Sequence, residues 1–163
     1  MKTLFILRHA KSSWKHLELA DHDRPLNKRG KRDAARMGEL LREDDLLPDL
    51  ILSSSAKRAH RTAELLIEAA GFDGELLVNR DLYAHYAEAY LDPLSSLDEH
   101  YERVMVIGHN PGLEELLEIL TGEWDRLPTA ALAQVMLPIQ RWSELDDNTQ
   151  GEVENIWRPK ELR

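Results

Sequence analysis

Short apolar runs that alternate with amphipathic helical stretches constrain this chain more than any other feature. Residues 3–7 (TLFIL) are apolar and bounded at both ends, the mark of a buried strand. DLIL at 49–52, ELLV at 75–78, RVMVI at 103–107 and AQVML at 133–137 repeat that pattern, and 153–157 can add a short sixth strand. Between the first two, Asn27 can cap a helix running to about residue 44, with Ala34, Met37, Leu40 and Leu41 on its inner face. The triplet Ser53-Ser54-Ser55 supplies an N-cap for a helix through Ala70, closed by Gly71. Residues 80–100 read as helical but broken, with Pro93 inside.

After the fourth strand comes Gly108-His109-Asn110-Pro111-Gly112, with Asn110 as N-cap and Pro111 at the first helical position. Leu113, Leu116, Leu117 and Leu120 then recur at helical spacing, Glu114, Glu115 and Glu118 take the wet face, and Gly122 ends the helix. Alternation of this kind predicts an α/β fold: a three-layer α/β/α sandwich with a mostly parallel central sheet, one domain over 1–163. The strand at 133–137 is expected to be antiparallel, at an edge. In such sheets ligands bind where the carboxyl ends of the strands meet.

The first strand stops at Arg8-His9, two side chains that are costly to bury and useful when half-exposed. Arg58 falls in or near the first turn of the helix after the second strand, and His109 follows the fourth. Two arginines and two histidines at one sheet edge describe an anion site with a nucleophile available. Arginine stays charged and offers forked donors to two phosphate oxygens at once. Flanking arginines should depress one imidazole, leaving its ring nitrogen free to attack phosphorus, while the other donates to the oxygens as charge builds. Taken singly, each residue has an ordinary reading as a surface, capping or solvated group. The joint placement carries the weight.

Together RHA at 8–10, RPLNKRG at 24–30, SSSAKRAHRTAE at 53–64 and GHNPG at 108–112 resemble the histidine phosphatase superfamily, in particular its short SixA-type phosphohistidine phosphatases. The likeness extends to LPTAAL at 127–132 and RPKEL near the end. It implies a phosphoglycerate mutase-like fold without a large lid insertion. It also implies that His9 is the phosphorylated nucleophile, that Arg8 and Arg58 bind the phosphoryl oxygens, and that His109 completes the pocket.

The chain departs from the family pattern in several places. Ala10 stands where the commonest first motif has Gly; Ser12 is present, but Lys15 takes a position often filled by Asn. Larger relatives carry an acidic proton donor after the third strand. The corresponding slot, Leu82-Tyr83-Ala84, has no carboxylate, which leaves Glu88, Asp21 or Asp23 as candidates. An alkoxide leaving group needs a general acid, worth about 10²- to 10⁴-fold in rate. Imidazole, with a pKa of about 6.5, leaves far more readily. A site without an acid therefore favours phosphohistidine in a protein as substrate. A small phosphorylated metabolite is the alternative, and a module that binds a phospholigand without turnover is a third reading.

Composition bounds the rest. With no cysteine there is no thiolate nucleophile or ligand, and His16, His22, His60, His85 and His100 lack metal-ligand spacing, so neither metal nor cofactor is expected. The net charge of −9 argues against nucleic acid. Residues 1–61 hold 14 basic against 9 acidic side chains, and residues 62–163 hold 7 against 21, an asymmetry that either draws an anion to one locality or is only solvated surface. No run is long enough to span a membrane, and the N-terminal apolar stretch is too short for a signal peptide, so a cytoplasmic protein is expected, with monomer as the default. Trp14 either walls the pocket or packs its loop.

Overall fold

A computed structural model describes residues 1–162. Six strands form one sheet: β1 (Lys2–Arg8), β2 (Leu50–Ser54), β3 (Glu75–Asn79), β4 (Arg103–Gly108), β5 (Leu132–Leu137) and β6 (Glu152–Trp157), in the order β3-β2-β4-β1-β5-β6. The pairs β2–β3, β2–β4 and β1–β4 are parallel, whereas β5 runs antiparallel to both β1 and β6. The expected antiparallel direction of β5 therefore stands, but its edge position does not. Leu132, Ala133, Val135 and Leu137 are all buried, too apolar a set for an open edge, and the more exposed β6 covers it.

Helices α1 (Lys28–Glu43) and α2 (Lys57–Ala70) pack on one face of the sheet; α3 (Glu88–Ser95) and α4 (Gly112–Thr121) lie on the other; a short α5 (Pro159–Leu162) closes the chain. The period-2 alternation of the strands sends side chains to opposite layers. Phe5, Leu7, Ile51, Met105 and Ile107 join Met37, Leu41, Ala63 and Leu66 in one core. Leu4, Ile6, Leu52, Val104 and Val106 join Tyr90, Leu113, Leu116, Leu117, Leu120 and Trp142 in the other. This is the predicted α/β/α sandwich.

Local signals explain most helix ends and miss two. Asn27 caps α1, its side-chain oxygen accepting the Gly30 N–H at 2.8 Å. Gly71 and Gly122 close α2 and α4 in the left-handed conformation, with φ of 66° and 77°, where a side chain would be strained. The serine triplet does not cap α2, because β2 continues through Ser54 and the N-cap is Ala56. Nor does Asn110 cap α4: its amide donates to the Leu127 carbonyl at 2.8 Å, and the helix starts after a cis Asn110–Pro111 bond with Pro111 as N-cap.

Register then aligns three strand ends. Arg8 is the Cα partner of Gly108, and Ser53 that of Ile107. One step further on, His9 and His109 emerge side by side, with the His9 N–H donating to the Gly108 carbonyl at 3.1 Å. Gly108 leaves room for Tyr90, whose hydroxyl a Cβ there would strike. That hydroxyl accepts the His109 N–H at 2.9 Å and donates toward the Leu82 and Ala84 carbonyls, pinning the strand-to-helix turn to the α3 layer.

Candidate active site

A cavity of about 420 Å³ opens at the shared carboxyl ends of β1 and β4. Its lining includes Arg8, His9, Arg58 and His109, so all four predicted site residues converge. His9, Arg58 and His109 are buried, with 7%, 4% and 2% of their surface exposed. The two imidazole rings lie 5.1 Å apart. A further tie holds the turn after His9: Thr62 accepts the Ala10 N–H at 3.0 Å and donates to the Arg58 carbonyl at 2.6 Å, coupling β1 to the first turns of α2.

Hydrogen bonding fixes the His9 tautomer. Nδ1 lies 2.8 Å from the Ala10 carbonyl oxygen, which can only accept, so Nδ1 carries the proton and Nε2 keeps its lone pair. Burial, with Arg58, Arg8 and Arg24 adding to it, pushes this imidazole down to about 3. Burial and the neighbouring His9, Arg58 and His85 likewise push His109 down to about 3. Both rings are therefore neutral at pH 7, and His9 presents a nucleophile without needing a base to deprotonate it.

Above the ordinary imidazole value of 6.5 neither ring costs anything. As pH falls from 6.5 toward 3 the unfolded chain takes up protons that the native site refuses, so stability drops with acidification across that window. Nitrogen-detected NMR of the ligand-free protein should find both rings still neutral at pH 5. Titration of either with a midpoint near 6.5 would contradict this electrostatic picture.

The cations are only partly spent. Arg8 donates from Nη1 to the Leu127 carbonyl at 3.2 Å, and Arg58 donates from Nη1 and Nη2 to the Asp21 carbonyl and carboxylate at 2.7 and 3.0 Å. The Nε atoms of both are buried without a partner, as is Nδ1 of His109. Three unspent nitrogens on the lining residues of one cavity are what an oxyanion would satisfy.

Sequence reasoning missed several members of the site. Arg24 lines the pocket, donating from Nη1 to Ser12 Oγ at 2.8 Å and from Nε to Asp21 at 3.1 Å. Its guanidinium carbon sits 3.5 Å from the centre of the Trp14 ring, so Trp14 is a pocket wall after all. Lys11 and His85 also line the cavity. Lys15, by contrast, is exposed and outside it, while Ser12 lies inside as the acceptor for Arg24.

The candidate acids fare differently. Glu88 lines a separate cavity with Leu91, Ile119 and Asp146, on the α3–α4 side. Asp23 is exposed, 3.4 Å from His22. Asp21 does line the pocket, but it accepts hydrogen bonds from Tyr83 at 2.5 Å and from Arg58 and Arg24, which hold its carboxyl well below the usual carboxylate range despite partial burial. Tyr83 occupies the slot where an acid was sought, and its proton is pinned on Asp21, which with burial raises the phenol above its ordinary value. Among the described residues no lining carboxyl holds a proton to donate.

A model of the histidine phosphatase superfamily (branch 1) matches residues 4–83, the stretch that carries Arg8, His9 and Arg58. The chain is also 35% identical over 156 residues to an uncharacterized chloroplastic protein of Arabidopsis thaliana, a match covering 88% of this chain and 70% of that protein. The chain belongs to the histidine phosphatase superfamily.

Within it the fold is of the SixA type. The SixA protein of Agrobacterium tumefaciens, assigned as a phosphohistidine phosphatase, superposes with a TM-score of 0.80 over 97% of this chain and 99% of that one, at 29% identity. The protein histidine phosphatase SixA solved with tungstate gives a TM-score of 0.84 over 99% of both chains; at 24% identity it speaks for the fold alone. Phosphatase chemistry is the activity class that membership supports. Among the described residues no cluster of His, Asp or Glu could hold a metal ion, and no helix is long and apolar enough to cross a membrane.

Proposed function

We propose that this superfamily member is a phosphohistidine phosphatase acting on a phosphorylated protein through a covalent intermediate on His9. In the first step the Nε2 lone pair attacks phosphorus and the phosphorus–nitrogen bond of the substrate breaks; the substrate ring, protonated on its other nitrogen, departs as neutral imidazole with the bond's electron pair as the lone pair of the freed nitrogen. In the second, water attacks the phosphoryl group on His9, releasing inorganic phosphate and regenerating the neutral ring. Arg8, Arg58 and Arg24 balance the oxyanion charge, and His109 donates to an equatorial oxygen as that charge builds. The chemistry needs neither a metal nor an organic cofactor.

One observation carries the substrate class: among the described residues the sole carboxylate lining the pocket, Asp21, is ionised and bonded to two arginines and Tyr83. An alcohol would leave poorly from such a site, whereas imidazole leaves without help from a strong acid. That a protein of this fold holds tungstate, a tetrahedral oxyanion, supports the phosphoryl reading.

A second reading rests on a neighbouring groove of about 780 Å³ lined by Tyr83, His85 and Tyr86, which could seat an organic leaving group and make the enzyme a small-molecule phosphomonoesterase. The two separate in one assay. At pH 7 with EDTA present, kcat/KM for a phosphohistidine-bearing protein should exceed that for sugar phosphates and p-nitrophenyl phosphate by about 10²-fold or more, the scale of a missing general acid. Faster turnover of the esters would replace the first reading with the second, and loss of activity in EDTA would refute metal independence.

A further inference from the structure

Ser54 lies at the end of β2 and is absent from the cavity lining, yet its side chain reaches the second histidine. Ser54 Oγ is 2.8 Å from His109 Nε2, with Ser54 fully buried and His109 nearly so. The same oxygen accepts the Ala56 N–H at 3.2 Å. Those two groups are its only hydrogen-bond partners among the described residues.

Proton accounting then decides the direction of the bond. The Ala56 amide can only donate. If His109 Nε2 also donated, the hydroxyl oxygen would face two donors and its own hydrogen would be buried with no acceptor. The ring would in addition keep an unprotonated Nδ1, a lone pair that repels an oxyanion. The alternative satisfies the serine completely and leaves one donor open: the hydroxyl donates to Nε2, and the imidazole proton sits on Nδ1, the buried ring nitrogen that has no protein partner and can meet an oxyanion.

We infer that Ser54 is a positioning residue that locks His109 in the Nδ1–H tautomer, so that a neutral imidazole always offers its N–H to the phosphoryl group. His109 can then act as a hydrogen-bond donor without being charged, which spares the site a further cation beside its arginines. This rests on the phosphoryl-transfer reading above for its catalytic consequence, although not for the tautomer. A hydroxyl reaching from one strand to a histidine on the next is possible because β2 and β4 are adjacent and in register here.

The test begins with nitrogen-15 NMR of the ligand-free wild-type protein, in which His109 should show a protonated Nδ1 and an unprotonated Nε2. In Ser54→Ala the proton should distribute over both nitrogens. The variant's kcat for p-nitrophenyl phosphate should fall about 10- to 100-fold with KM little changed, somewhat less than the 10²- to 10³-fold typical of deleting an oxyanion donor outright. Phosphate should still attach to His9, and Ser54→Cys, with a weaker donor, should recover part of the rate. A wild-type His109 protonated on Nε2, or a Ser54→Ala enzyme within twofold of wild type, would overturn the inference. The wild-type spectrum decides the tautomer even if the variant fails to fold. Absence of phosphate on His9 in the wild type would instead refute the covalent mechanism and leave the tautomer result standing.

Discussion

Replacing His9 with alanine is expected to cut turnover by about 10³-fold or more and to abolish any covalently bound phosphate. The deletion removes a buried imidazole nitrogen whose lone pair the local hydrogen bonding leaves free, on the ring flanked by Arg8, Arg58 and Arg24. The second imidazole is engaged by Ser54 through Nε2, and His85 lies 3.3 Å by Nδ1 from the Asn110 carbonyl. Among the described residues the lining holds no thiol, and its carboxylate, Asp21, is already saturated by Arg58, Arg24 and Tyr83. Folding should survive the change, because the pocket pushes this imidazole down to about 3 mainly through burial, which is a cost to the native state in acid rather than a support. His9→Ala is thus predicted to resist mild acid better than wild type between pH 6.5 and 3, even as it loses activity. Chemical denaturation at two pH values, run beside the activity assay, measures both.

The second large effect falls on Arg58. Arg58→Ala should lower kcat/KM by about 10²- to 10³-fold, as expected for losing a charged donor to the transferring group. Arg58→Lys should not restore it. Arg58 spends Nη1 and Nη2 on Asp21 while keeping a buried Nε–H unpartnered, a division of labour that needs three nitrogens in a plane. An ammonium at that position can hold Asp21 or meet the phosphoryl group, but cannot match the geometry of both. Steady-state kinetics with p-nitrophenyl phosphate resolves the two variants, and a lysine enzyme close to wild type would show that Arg58 acts only as a point charge.

Much of this arrangement is legible in the sequence, and the reason is topological. A parallel sheet brings strand ends to a common edge, so Arg8-His9, Arg58 and His109 could be placed together once the strands were recognised from their apolar runs. Ser54 could not, because hydroxyls that follow a strand serve equally well as a helix cap or as a strand's last residues, and only the length of β2 separates the two. Arg24 escapes, and Asp21 and Trp14 stand only as a candidate acid and as one of two readings, for another reason. They sit in the aperiodic stretch between β1 and α1, where contacts are set by tertiary packing and no spacing rule reports them. Arg24 did stand inside the RPLNKRG motif, a signal that marked the segment without revealing what its first residue touches. The position of β5 differs from the expected edge because β6 pairs with it and covers it, and nothing in the apolar run of β5 itself reports that neighbour.

The proposed mechanism requires that phosphorus be bonded to Nε2 of His9 during each turnover. Mixing enzyme with excess phosphorylated substrate, quenching within milliseconds, and mapping the protein-bound phosphate measures that directly. An acid-labile phosphoryl group on His9 Nε2, formed at least as fast as turnover, is the predicted result. Turnover at full rate with no phosphate on the protein, or with phosphate on any other residue, would contradict it.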